Sequence, residues 1–139
     1  MNITDMKVDP DELIVKDKLE SIFEVQKKLK EKYDPIERSK GLHVPVLPIC
    51  IDKCKTQDYL KGQIYRIVAE LVEAGECLKN KPWKQTEMIT DVDHLKEELA
   101  DALHFFIEFC ITCGIDANEL FTLYLKKSKV NKWRIVTNY

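Results

Sequence analysis

The sequence predicts an all-α protein, and three features carry that expectation. Gly and Pro are scarce, with four and five in 139 residues, while Glu, Lys and Leu are abundant. Apolar residues recur at three- and four-residue spacing over long stretches, the period of helices that bury one face. These stretches are joined by one long connection and two short ones, which suits a helical bundle. The length supports one core, so residues 1–139 are expected to form a single domain built on four helices.

Asp9 followed by Pro10 reads as the N-cap and first position of helix one. Leu13, Leu19, Ile22, Phe23, Val25 and Leu29 give it an apolar stripe to about Tyr33, with Pro35 as its stop. Residues 34–55 hold Pro45 and Pro48 and show no period; loops this long usually bind or cover something. Thr56 is the expected cap of helix two, which reaches Lys79 with Ile64, Ile67, Val68, Leu71 and Val72 as its core face. Asp91 or Asp93 opens helix three, which runs to Cys113 and stops at Gly114. Asp116 and Glu119 make a capping-box-like pair for helix four, which extends to about Arg134.

The near-neutral charge of −2 argues against a dedicated nucleic-acid binder. No apolar run approaches bilayer length, and residues 1–15 lack the basic and apolar regions of a signal peptide, so a cytoplasmic location is expected. Five cysteines, an odd number, fit a reducing compartment. Cys50/Cys54 and Cys110/Cys113 have zinc-like spacing. However, the second pair lies inside an apolar helical run, where cysteine acts as a small hydrophobe.

Helix two carries Glu70, Glu73 and Glu76 three apart, and helix three carries Glu98 and Asp101 three apart. Residues three apart share a helix face. If both apolar stripes enter one core, Glu70 and Glu73 face Glu98 and Asp101 across the bundle. Such a convergence needs protonation or a hard divalent cation such as magnesium. Spacing alone leaves a solvated acidic face as the alternative. Asp101-x-x-His104 matches half of a di-iron carboxylate–histidine arrangement, but helix two supplies no histidine. His104 is therefore expected to be a semi-buried histidine hydrogen-bonded within the bundle, supporting Asp101 from behind rather than acting as a ligand, and Glu97 to be a boundary residue or a supporting partner. On helix four, Tyr124, Lys127, Asn131 and Arg134 share one face, fit either to hold a polyphosphate and sugar or to complement the helix dipole. Lys81, Trp83 and Lys84 make a basic–aromatic cluster before helix three.

The run "ExxE", Trp83-Lys84, "KEELADALHF" and Tyr124-x2-Lys127-x3-Asn131-x2-Arg134 resembles the all-α nucleoside triphosphate pyrophosphohydrolases. Within that MazG-like superfamily it is most similar to the dimeric dUTPases, phage-type members included. The resemblance implies a four-helix bundle core of that type, paired as a homodimer or higher homo-oligomer, acting on a nucleoside triphosphate rather than on nucleic acid or membrane. It implies magnesium-dependent hydrolysis of dUTP to dUMP and pyrophosphate by water activated at the metal. Glu70, Glu73, Glu98 and Asp101 are the implied magnesium ligands, with Glu73 and Glu70 catalytic. Lys84, Lys127 and Arg134 are implied at phosphate, Asn131 at sugar or phosphate, and Gln26 and Trp83 at the base. Gln26 is followed by lysines where such enzymes place an Asn or Asp. A MazG-like enzyme for another or modified nucleotide, and a non-catalytic nucleotide-binding regulator, are therefore the alternative readings.

Overall fold

The computed structural model describes residues 3–138. A 3-10 turn at Ile3–Asp5 precedes five helices: α1 Pro10–Leu13, α2 Lys18–Ser39, α3 Cys54–Glu76, α4 Val92–Thr112 and α5 Ala117–Val136. No strand occurs among the described residues, so the fold is all-α.

The Asp9-Pro10 signal is real but local. Asp9 and Glu12 form a full capping box, yet α1 lasts a single turn. The long helix starts at Lys18, where the Asp17 side chain accepts from the Glu20 backbone N–H. Pro35 lies inside α2 and does not end it. The turn beyond Pro35 is held from outside: Glu37 pairs with Arg66 at 2.7 Å and Arg38 donates to the Val44 carbonyl. The helix stops at Gly41 (φ +87°), with Gly41 N–H on Arg38 O and Leu42 N–H on Glu37 O. That paired closure satisfies the last carbonyls and needs the left-handed residue that only glycine adopts freely. The irregular connection therefore shrinks to residues 40–53, with Val44 and Pro45 buried.

α3 begins two residues before Thr56, with Lys53 as an N-cap that makes no side-chain bond. Thr56 is instead buried. Asp91 caps α4 and Asp116 caps α5 as expected, each carboxylate accepting from the backbone N–H three residues on. Gly114 (φ +75°) closes α4 by the same paired motif as Gly41.

Helix α4 is central. It packs along α3 and crosses α2, while α5 packs against α2. α3 and α4 run antiparallel, since Tyr59 and Leu60 meet Phe109 and Cys113 at one end and Glu70 and Glu73 meet Glu98 at the other. One cluster joins Phe23, Ile107, Cys110 and Ala117, drawing in α2, α4 and the start of α5; the other joins Val44, Tyr59 and Leu60.

The apolar stripe expected to form the α3 core does not. Ile64, Val68, Leu71 and Val72 are each about half exposed, and the seam toward α4 is built from Thr56, Tyr59, Leu60, Gln63 and Ala74. Leu99, Leu103 and Phe106 on α4 are likewise exposed. Periodicity identified an apolar face correctly but not what covers it; within the chain, α3 turns to α4 a mixed face in which Thr56 and Gln63 sit with Tyr59, Leu60 and Ala74.

Ile107, 1% exposed at the meeting of α2, α4 and α5, has the least room to relax. Ile107→Ala is expected to cost about 3 kcal/mol through lost burial and a residual cavity, measured by denaturant unfolding with an unchanged slope.

Candidate active site

The last two turns of α3 and the first two of α4 bring three carboxylates together. One ligand oxygen each from Glu70, Glu73 and Glu98 falls within a mutual 4.8 Å. Buried alanines at positions 74 and 102, one turn beyond the acids on each helix, leave room for this approach. Glu98 is the buried member, Glu70 is half-buried and Glu73 is exposed. Asp101, one turn further along α4, is half-buried and stands outside that tight group, close enough to act on Glu70 through its charge.

The electrostatics follow from the crowding. Burial, a hydrogen bond toward Glu98 and the charges of Glu73 and Asp101 push Glu70 up to about 7. Burial also pushes Glu98 upward, but the neighbouring Glu70 and Glu73 carboxyls and the His94 imidazole favour its ionised form, outweigh burial and hold Glu98 below the usual carboxylate range. His94 Nε2 lies 2.7 Å from Glu98 Oε1, whereas Glu98 Oε2 is buried without any hydrogen-bond partner. A buried carboxylate oxygen with no donor, facing further carboxylates, is completed by a proton or a cation. The all-oxygen donor set fits a hard divalent ion such as magnesium.

Sequence reasoning missed His94, which reads there as an ordinary helix-start residue; its i,i+4 spacing from Glu98 is the signal that points to it. His104 is hydrogen-bonded within the bundle as expected, but it is exposed rather than semi-buried and its partner is not Asp101. Its Nδ1 lies 2.7 Å from Gln26 Oε1, so it ties α4 to α2 rather than supporting Asp101. An amide oxygen only accepts, which fixes the proton on Nδ1. Gln26 is nearly buried, and with Asp101, His104 and Phe105 it lines a cavity of about 400 Å³ beside the acids.

The basic candidates are dispersed. Trp83 is 75% exposed with Lys81 Nζ 5.5 Å from its ring centre, and Lys84 lies in the same turn. Lys127 and Asn131 are exposed on α5, and Arg134 is partly buried. Only Ala117 of α5 is buried. Cys50 and Cys54 are exposed, while Cys110 is in the core, where burial raises its thiol pKa.

A sequence model of the dUTPase family matches residues 18–119, from the start of α2 into α5. The chain belongs to the all-α dUTPase family. The matched span of this dUTPase-family chain includes the three clustered acids and Asp101, with Gln26, Trp83 and Lys84, and ends before Lys127, Asn131 and Arg134. Membership supports hydrolysis of dUTP or a related nucleotide. No curated protein and no solved structure matches the chain. No helix among the described residues is long and apolar enough to cross a membrane.

A carboxyl pKa raised in the folded state means the native protein binds more protons than the unfolded chain between the two pKa values. Without divalent cation, stability is therefore expected to fall as pH rises from about 5 to about 8. Thermal melts in chelator should show this slope, flattened by Glu70→Gln and by millimolar magnesium.

Proposed function

We propose that this protein hydrolyses dUTP to dUMP and pyrophosphate, using magnesium held by Glu70, Glu73, Glu98 and Asp101. The observation that carries the reading is the convergence of acids from α3 and α4, one of them a buried carboxylate with an orphan oxygen. When bound, magnesium supplies charge neutralisation at the triphosphate and acidifies water. Glu98, oriented by His94, anchors the site. Glu73, at its exposed edge, accepts the proton of the attacking water, with Glu70 beside it. Gln26 meets the base in the cavity next to Asp101, and Trp83 helps to close that pocket. Lys84, Lys127 and Arg134 neutralise phosphate, and Asn131 bonds the sugar or a phosphate.

The same reading includes a homodimer. The chain exposes 11362 Å². A compact monomer of 16.3 kDa would expose about 7,500 Å². The uncovered faces are apolar: Ile64, Val68 and Leu71 on α3, and Leu99, Leu103 and Phe106 on α4. A 520 Å³ groove, lined largely by apolar residues such as Leu13, Ile22, Val25 and Leu103, lies on the chain as well. A second copy is the covering that suits a single domain over residues 1–139 working in the cytoplasm. It also offers a route by which the exposed cations of α5 come near an acidic cluster.

Pyrophosphate release from a panel of deoxynucleoside triphosphates, with and without magnesium, tests the reaction. Preferential turnover of dUTP is expected. Glu73→Ala and Asp101→Ala should each lower kcat by at least about a hundredfold. Equal turnover of every base would remove the dUTP assignment, and no turnover of any would leave a binding protein. Sedimentation equilibrium should return twice the chain mass.

A further inference from the structure

The cavity behind Asp101 contains a carboxylate that neither the core nor the acidic cluster uses. Glu108 is 4% exposed, yet among the described residues no side chain or backbone group donates to its carboxylate, and it stands in no close ion pair. The cations that act on it are engaged elsewhere. Lys30 Nζ holds Asp34 at 3.0 Å, and Arg66 holds Glu37 at 2.7 Å. Glu37 and Asp34 repel it in turn. Packing alone gives no reason to keep an acid here, because an unpartnered buried charge is destabilising and an apolar side chain would not be.

What Glu108 does face is the cavity of about 400 Å³. Its other walls suit a flat ring: Leu29, Tyr33 and Phe105 provide apolar surface. Gln26 and Arg66 offer it donors. Gln26 has its oxygen occupied by His104, leaving its amide N–H groups, and Arg66 has guanidinium N–H groups beyond the one on Glu37. Seven residues of α4 separate Glu108 from Asp101, about 10 Å along the axis. That is the reach from a metal-held phosphate to the far edge of a pyrimidine in one nucleotide.

We infer that Glu108 is the specificity-determining residue for the base, its carboxylate accepting the ring N3–H of uracil while Gln26 and Arg66 donate to the carbonyls on either side. The inference rests on the dUTP reading for the identity of the nucleotide. It adds the group that tells uracil from cytosine. Cytosine presents a bare ring nitrogen at position 3, so its lone pair would meet those of Glu108. Its 4-amino group would meet a donor. A site built around a buried hydrogen bond rejects a ligand that leaves it unpaired far more strongly than an apolar pocket does.

Two comparisons test this. On the wild-type protein, N3-methyl-dUTP should lose about a thousandfold in kcat/KM relative to dUTP. In Glu108→Gln, whose amide can turn either its oxygen or its nitrogen to the ring, the dUTP:dCTP ratio of kcat/KM should fall by at least about tenfold. Part of that fall should come from faster dCTP turnover, with magnesium affinity unchanged by calorimetry. Lost packing would not speed up any substrate. Equal use of N3-methyl-dUTP and dUTP, or a Glu108→Gln protein that slows on all bases with its ratio intact, would overturn the assignment. Should the variant not fold, the methyl comparison decides. Should the wild type hydrolyse no triphosphate, the pyrophosphohydrolase reading fails separately, and calorimetry with deoxyuridine and N3-methyldeoxyuridine still decides. Binding of the first alone sustains the role of Glu108, and any other result removes it.

Discussion

Mutual repulsion among carboxylates at the α3–α4 seam is the constraint on which the rest of this protein depends. Glu70, Glu73 and Glu98 can approach because Ala74 and Ala102 keep the helices close, and because His94 takes one oxygen of Glu98. The remaining charge needs a proton, which Glu70 keeps up to about 7, or a cation. A bundle seam that is incomplete without a positive charge is poorly suited to be only a scaffold. In a member of the dUTPase family it is well suited to present a hard metal ion to a polyphosphate.

That arrangement has a cost elsewhere in the chain. Because α3 turns Gln63, Glu70 and Ala74 toward α4, the stripe of Ile64, Val68, Leu71 and Val72 points away from the core. The two hydrophobic clusters sit toward the opposite end of the seam from the acids and are small. Polar seam within the chain and apolar surface outside it are two sides of the same helices. Covering that surface with a second copy would supply burial that one chain does not make for itself.

Between acids and core lies a layer of ionic groups, one buried and the others half-buried. Lys30, 3% exposed, bonds Asp34 and lies 5.7 Å over the Tyr59 ring, while Arg66 bonds Glu37. These bonds join the second half of α2 to α3 and explain how that helix continues past Pro35. They also leave the buried Glu108 without a hydrogen-bond or ion-pair partner among the described residues, facing the cavity that adjoins Asp101.

Much of this was legible in the sequence because it rests on local rules. Helical period, the caps at Asp91 and Asp116 and the glycine stop after α4 depend on neighbours within a turn, and the structure has them where the sequence puts them. The paired acids were legible too, since i,i+3 spacing fixes a shared face. What local rules could not reach were choices between distant partners. Pro35 is a helix stop by propensity, yet Glu37 and Arg38 find partners 29 and 6 residues away. His104 sits three residues from Asp101 but bonds Gln26, 78 residues away. The sequence by itself determined which faces are apolar and which acidic. Only the tertiary structure decided which face meets which, because a helix with two usable faces buries the one its neighbours' shape and packing fit. In α3 the face set against α4 carries Thr56, Tyr59, Leu60, Gln63 and Ala74, and it leaves the Tyr59 hydroxyl and Gln63 Oε1 buried without a partner among the described residues.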